Sequence, residues 1–176
     1  AVTAHPDHEK EITKRIRLGW NAFVKHLQIM ISSLPVSLKR KVYDSYFLPV
    51  LTYGAETRRL TNEVLHKFRT SQRAMERKMV GVTLRDRKRV EWVREITQVT
   101  DILVEIKKKW AWAGHVVWRE EKRWSLRVTN WIPREGKRSR GHQKFIWVDE
   151  GKKFAGVKWM QLAHNRVNWR NMRETF

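Results

Sequence analysis

Adjacent carboxylates occur only twice in this chain, at Glu120-Glu121 and Asp149-Glu150. Neighbours on a helix point about 100° apart, so neither pair can by itself converge on the two metal ions that phosphoryl or nucleotidyl transfer needs. His5 and His8 have the spacing of half a metal site, but Pro6 and the chain end favour solvated imidazoles there. The sequence holds no phosphate-binding Walker loop, no Gly-x-Ser-x-Gly elbow and no zincin motif. The absence of Cys removes thiol nucleophiles, iron-sulfur clusters, Cys-containing zinc sites and a disulfide framework. The expectation is a chain with no catalytic residues, no metal ligands and no cofactor of its own.

Cations are the residues in excess. Lys and Arg number 38 against 18 Asp and Glu, a formal net charge of +20 in 176 residues. Residues 1–88 hold 18 basic and 8 acidic side chains and residues 89–176 hold 20 and 10, so the charge is not a detachable tail. A charge of this size calls for a polyanionic partner, and 41% hydrophobic residues with 4 Pro and 8 Gly argue for a folded chain. The strongest candidates for phosphate contact are Arg85, Arg87, Lys88 and Arg89 in one cluster, and Arg134, Lys137, Arg138, Arg140 and Lys144 in another. Gly136, Gly141 and Pro133 make the second a loop whose backbone can approach a strand closely. Trp147 flanks it and is a candidate for stacking on a base. Lys39-Arg40-Lys41 and Lys107-Lys108-Lys109 read equally well as solubilising surface.

The elements that must carry these residues are helical, because apolar residues recur every three or four and period-two alternation is never sustained. Asp7 can cap a helix with the stripe Ile12, Ile16, Trp20, Phe23, Leu27 and Met30, ending before Leu34-Pro35. Ser37 to Phe47 follows with Leu38, Val42 and Ser45/Tyr46 inward, and Pro49 ends or kinks it. Thr61 can cap a third helix, with Leu65, Phe68, Gln72, Met75 and Met79 on one side and Gly81 as its C-cap. Val90 to Ile96 is a fourth. Ile102, Ile106, Trp110, Ala113 and Val117 form a fifth stripe, and two short helices around Phe154 and Trp159–Trp169 close the chain. Nine of the 10 tryptophans lie beyond Gly81. The fold class expected is all-α, with a helical bundle over residues 1–81 and a Trp-rich, mainly helical, basic subdomain over 82–176. The apolar runs are too short to span a membrane. A start without Met or a leader pattern reads as a piece of a longer protein.

Several ordered phrases together are more specific than any of these features. Leu38-Lys39-Arg40-Lys41-Val42-Tyr43, Leu48-Pro49-Val50-Leu51-Thr52-Tyr53-Gly54-Ala55-Glu56-Thr57, Gln72-Arg73-Ala74-Met75-Glu76-Arg77 and Leu84-Arg85-Asp86-Arg87 stand in the first half. Lys109-Trp110-Ala111-Trp112-Ala113-Gly114-His115-Val116, Trp131-Ile132-Pro133-Arg134-Glu135-Gly136-Lys137-Arg138-Ser139-Arg140-Gly141 and Trp159-Met160-Gln161-Leu162-Ala163 follow. In this order they resemble the region downstream of the polymerase palm in non-LTR retrotransposon reverse transcriptases of the RTE/BovB type, from about Glu11 to Trp169. The chain departs from that pattern at Arg58, where Trp is usual, and at Gly141–Trp147, which replaces Gly-Arg-Pro-Pro-x-Arg-Trp.

The resemblance implies a parent RNA-directed DNA polymerase with an endonuclease and a palm upstream, the palm using Mg2+ held by a Tyr-x-Asp-Asp motif that this chain lacks. It implies that residues to about Gly81 are the thumb, gripping the template-primer duplex, and that the remainder binds element RNA or target DNA. The partners implied are RNA, DNA and the upstream palm and endonuclease regions, without a membrane, in the nucleus with a cytoplasmic ribonucleoprotein stage. Two other readings compete: a free-standing basic helical nucleic-acid-binding module, and a translated remnant with no function.

Overall fold

The computed structural model describes residues 8–55, 61–118, 124 and 147–174. Helices and no strands occur among the described residues, so the chain is all-α. Packing divides it into two compact units, Ala1–Gly54 with Leu60–Ile106, and Ala55–Arg59 with Lys107–Phe176.

In the first unit the expected opening helix is two helices, α1 (His8–Lys25) and α2 (Leu27–Ile31). The break falls at His26, whose N–H is shared between the Ala22 and Phe23 carbonyls at 3.3 and 3.2 Å. The stripe survives it: Ile12, Phe23 and Met30 are buried. α3 (Val36–Val42) leads directly into a π-helical turn (Tyr43–Phe47) and α4 (Leu48–Thr52). The turn is wider than an α-helical one, with the Leu48 N–H reaching back to the Tyr43 carbonyl, and this rotates the register. Lys39, Tyr43, Phe47, Leu48 and Leu51 are therefore the inward residues, while Leu38 and Tyr46, expected inside, are 46% and 45% exposed. Pro49 sits in the first turn of α4, where its missing N–H costs nothing.

The long helix α5 (Asn62–Val80) has the expected ends. Thr61 Oγ1 accepts from the Val64 N–H at 3.3 Å, and Gly81 closes it in the left-handed region (φ +76°) with its N–H on the Arg77 and Lys78 carbonyls. Val64, Phe68, Gln72, Met75, Glu76 and Met79 are buried along it. Beyond a short 3-10 turn (Leu84–Asp86) come α6 (Val90–Thr97) and α7 (Ile102–Lys107). The tryptophan content changes near Gly81, whereas the packing divides after Ile106. Gln72 shows why: its amide donates to the Thr100 carbonyl (2.8 Å) and its Oε1 accepts from the Ile102 N–H (2.9 Å), tying the α6–α7 corner to α5.

The second unit holds α8 (Lys109–Trp118), α9 (Trp147–Ala155), α10 (Trp159–His164) and α11 (Arg166–Glu174), one more terminal helix than expected. Trp110, Ala113, Val117, Trp159, Ala163 and Trp169 form its core, with Phe154 stacked on Trp110 at 4.2 Å between ring centres. The Trp169 N–H donates to the Trp110 carbonyl at 2.7 Å and the Trp118 N–H to the Ala163 carbonyl. The indoles press on glycine backbone. A Cβ at Gly114 would lie 2.8 Å from Trp169 Cδ1 and 2.9 Å from Trp118 Cζ2, and one at Gly151 would lie 2.8 Å from Trp159 Cε2. No helix among the described residues is long and apolar enough to cross a membrane.

Candidate nucleic-acid interface

A turn that exposes four cations needs something to stop it collapsing or fraying. Between α5 and α6 that is Asp86. Its Oδ2 accepts from the Thr83 N–H at 2.6 Å and from the Thr83 hydroxyl at 2.9 Å, a capping box closed on the 3-10 turn. These two bonds, with the charge of Lys88, hold the Asp86 carboxyl below the usual carboxylate range. Arg87 then turns the chain in the left-handed region (φ +49°). The one acidic residue of the cluster is thus occupied within the turn, and Arg85, Arg87, Lys88 and Arg89 are all exposed. Lys88 Nζ lies 5.2 Å from the centre of the Trp92 ring, which is 38% exposed. Trp92 was not a candidate in the sequence, and no helical spacing points to it, because Lys88 precedes the start of α6.

Behind the turn, α6 is held by a half-buried polar network. Val93 and Thr97 are buried. Asp101 pairs with Arg94 and lies 3.7 Å from Arg73 Nη2, while its Oδ1 accepts from the Leu103 N–H at 2.8 Å. Burial pushes the Asp101 carboxyl up, but the Leu103 N–H, the Arg94 bond and the two guanidinium charges outweigh it, and it ends below the usual range. Glu76 is the opposite case. It is fully buried, neither of its oxygens has a hydrogen-bond partner among the described residues, and Arg73 Nη1 lies 3.7 Å away. Burial drives its carboxyl above the usual range against the pull of Arg73 and Arg94.

The two carboxylates therefore act on stability with opposite signs. Glu76, raised in the fold, contributes stability below its unfolded pKa that is lost as pH rises through the folded value, whereas Asp101, depressed, contributes stability that is lost as pH falls. Glu76→Gln should consequently stabilise the chain at neutral pH. The gain should shrink on acidification and vanish below the ordinary glutamate pKa of about 4.3, as read from urea unfolding midpoints across a pH series. A gain independent of pH would rule out titration of Glu76 as its cause.

Other basic residues are placed differently. Lys39 is buried, and its ammonium donates to the Met79 carbonyl at 3.2 Å, satisfying the C-terminal end of α5, so it is neither solubilising surface nor a contact for a partner. Arg40 and Lys41 are exposed, as are Lys107 and Lys108. Arg134, Lys137, Arg138, Arg140 and Lys144 lie outside the described residues, and Trp147 is placed only as the first residue of α9. Of the tryptophans, Trp110, Trp159 and Trp169 are core, as their stripes implied. Trp112 and Trp118 are half-buried, with the Arg166 guanidinium 5.1 Å from the centre of the Trp118 ring, and Trp124 is 76% exposed. Among the described residues no group of three or more His, Asp or Glu side chains is placed to hold a metal ion.

No family model matches the chain, and no solved structure matches it. It is similar to an uncharacterized transposon-derived protein of Caenorhabditis elegans, 32% identical over 183 residues covering 96% of this chain. The chain spans 65% of that relative's length. The likeness supports a transposon origin.

Proposed function

We propose that the chain holds nucleic acid, template-primer duplex or element RNA and target DNA, as the C-terminal part of a non-LTR retrotransposon RNA-directed DNA polymerase, and that it houses no catalytic centre. The carboxylates and metal of nucleotidyl transfer would come from an upstream palm. The observation that carries the reading is the turn at Thr83–Arg89, in which Asp86 is folded onto Thr83 while four cations face solvent beside an exposed Trp92. Exposed cations on a fixed backbone attract phosphate without reading sequence, and an indole beside them offers a stacking face to any base. The assignment to a retroelement rests on the ordered family phrases, and the transposon-derived relative supports the transposon origin it requires.

Binding to a duplex should then be steep in salt and nearly sequence-blind. With about six phosphate contacts, log K should fall with log salt at a slope near 5 in magnitude. The triple replacement of Arg85, Lys88 and Arg89 by Ser should reduce that slope by up to about three and weaken binding alike across sequences, with helicity unchanged. A parallel triple at Lys137, Arg138 and Arg140 tests the second cluster, and one at Lys107, Lys108 and Lys109 serves as the control. A flat salt response of the wild-type chain, or equal losses from all three triples, would overturn the assignment of the site.

A further inference from the structure

Ser37 and Lys41 stand one turn apart on α3, and Ser45 follows in the π-helical turn. With Arg40 and Asp44 they line an open groove of about 620 Å3. An acidic residue in such a place would ordinarily repel an anion, but here Asp44 is taken up from behind. Its Oδ1 accepts from the Thr100 N–H at 3.0 Å and its Oδ2 from the Thr100 hydroxyl at 3.1 Å. Arg40 is held from two sides, Nε 3.5 Å from Asp44 Oδ2 and Nη1 3.4 Å from Gln98 Oε1. That fixes the guanidinium plane and leaves Nη2 without a partner among the described residues. The Lys41 ammonium likewise has none among them. The Ser45 hydroxyl donates to the Lys41 carbonyl at 2.6 Å, so Ser37 is the hydroxyl whose hydrogen remains for a ligand.

We infer that this groove is a phosphate-binding site, distinct from the Thr83–Arg89 turn, whose phosphate is supplied by the backbone of bound nucleic acid; this deepens the reading proposed above and rests on it for the source of the phosphate. A guanidinium edge held in place and a mobile ammonium suit a tetrahedral oxyanion with several acceptor oxygens, and Ser37 adds a neutral donor. Asp44 and Thr100 act as positioning residues, coupling the cations of α3 to the corner between α6 and α7. Contacts to phosphate carry no sequence information, so the contribution of the groove is to affinity and register.

Two measurements on the full chain test this. In duplex binding, Lys41→Gln should weaken affinity about threefold to tenfold at low salt and lower the salt slope by about one. Lys14→Gln, which removes the same charge from an exposed position on α1, should do less. Equal effects of the two variants overturn the site. In the second measurement inorganic phosphate is titrated into the wild-type chain and into Lys41→Gln while the backbone amide of Thr100 is followed by NMR. A saturable shift present in the wild type and absent in the variant upholds the groove even if the chain fails to bind duplex, in which case it is the functional reading and the nucleic-acid source that fall. No shift at Thr100 with phosphate or with duplex overturns the groove itself.

Discussion

Trp169→Ala should remove about 4 kcal/mol of stability, the cost typical of deleting a buried indole from a packed core. The side chain is 1% exposed, its ring centre lies 5.8 Å from Phe154 and 6.0 Å from Trp159, and its N–H satisfies the Trp110 carbonyl. The loss combines the area returned to water, the void left between two aromatic neighbours and the hydrogen bond that ties the indole to the backbone of α8. Trp169→Phe separates these contributions, because it keeps most of the apolar surface but removes the donor, and should cost about 1–2 kcal/mol. Denaturant unfolding followed by the near-ultraviolet dichroism of the indoles reads both. A cost below about 1 kcal/mol for the alanine variant would mean that the core collapses onto the vacancy, contrary to the tight glycine–indole contacts around it.

Gln72→Leu should cost about 3 kcal/mol, although it preserves volume and adds apolar surface, because one buried and one half-buried backbone group lose the partner they have among the described residues, at a cost of about 1–3 kcal/mol each. The groups are the Thr100 carbonyl and the Ile102 N–H. Gln72→Glu provides the internal comparison: a carboxylate can still accept from Ile102 but cannot donate to Thr100 unless protonated. Amide hydrogen exchange at Ile102 should accelerate in Gln72→Leu far beyond the change in global stability, whereas uniform acceleration across α5 and α6 would mean that Gln72 contributes only packing. Since Asp44 also grips Thr100, a loosened corner should in addition weaken the phosphate response of the groove on α3.

The parts of this architecture that could be read from the sequence are those whose cause is local. α5 was legible from end to end because Thr61 and Gly81 act on backbone groups within four residues of themselves, and its stripe needs only a period of 3.6. The exposure of Arg85, Arg87, Lys88 and Arg89 was legible for the same reason, as no burial could be afforded to so many adjacent cations. What escaped depends on contacts distant in sequence. The inward face of α3 turned on a π-helical turn, which apolar spacing does not announce, and so Lys39 moved from a surface run to the end of α5, 40 residues away. The position of Gln72 on a buried stripe was visible, but its role required knowing that residues 100 and 102 arrive there. The role of Asp86 was not read from the sequence, although its partner Thr83 is only three residues away.

The close approach of indoles to Gly114 and Gly151 has a genetic corollary. Every glycine codon begins with two guanines, so any base change in either of those positions adds at least a Cβ or ends the chain. At most surface positions a new methyl group is neutral within about 0.5 kcal/mol, but at these two it would stand within 3 Å of an indole whose N–H or ring is fixed by other contacts. Silent change is confined to the third base. These two codons therefore behave as a fuse for the second unit: a change in either of their first two bases should cost the packing of its tryptophans, whatever remains of the charge elsewhere in the chain.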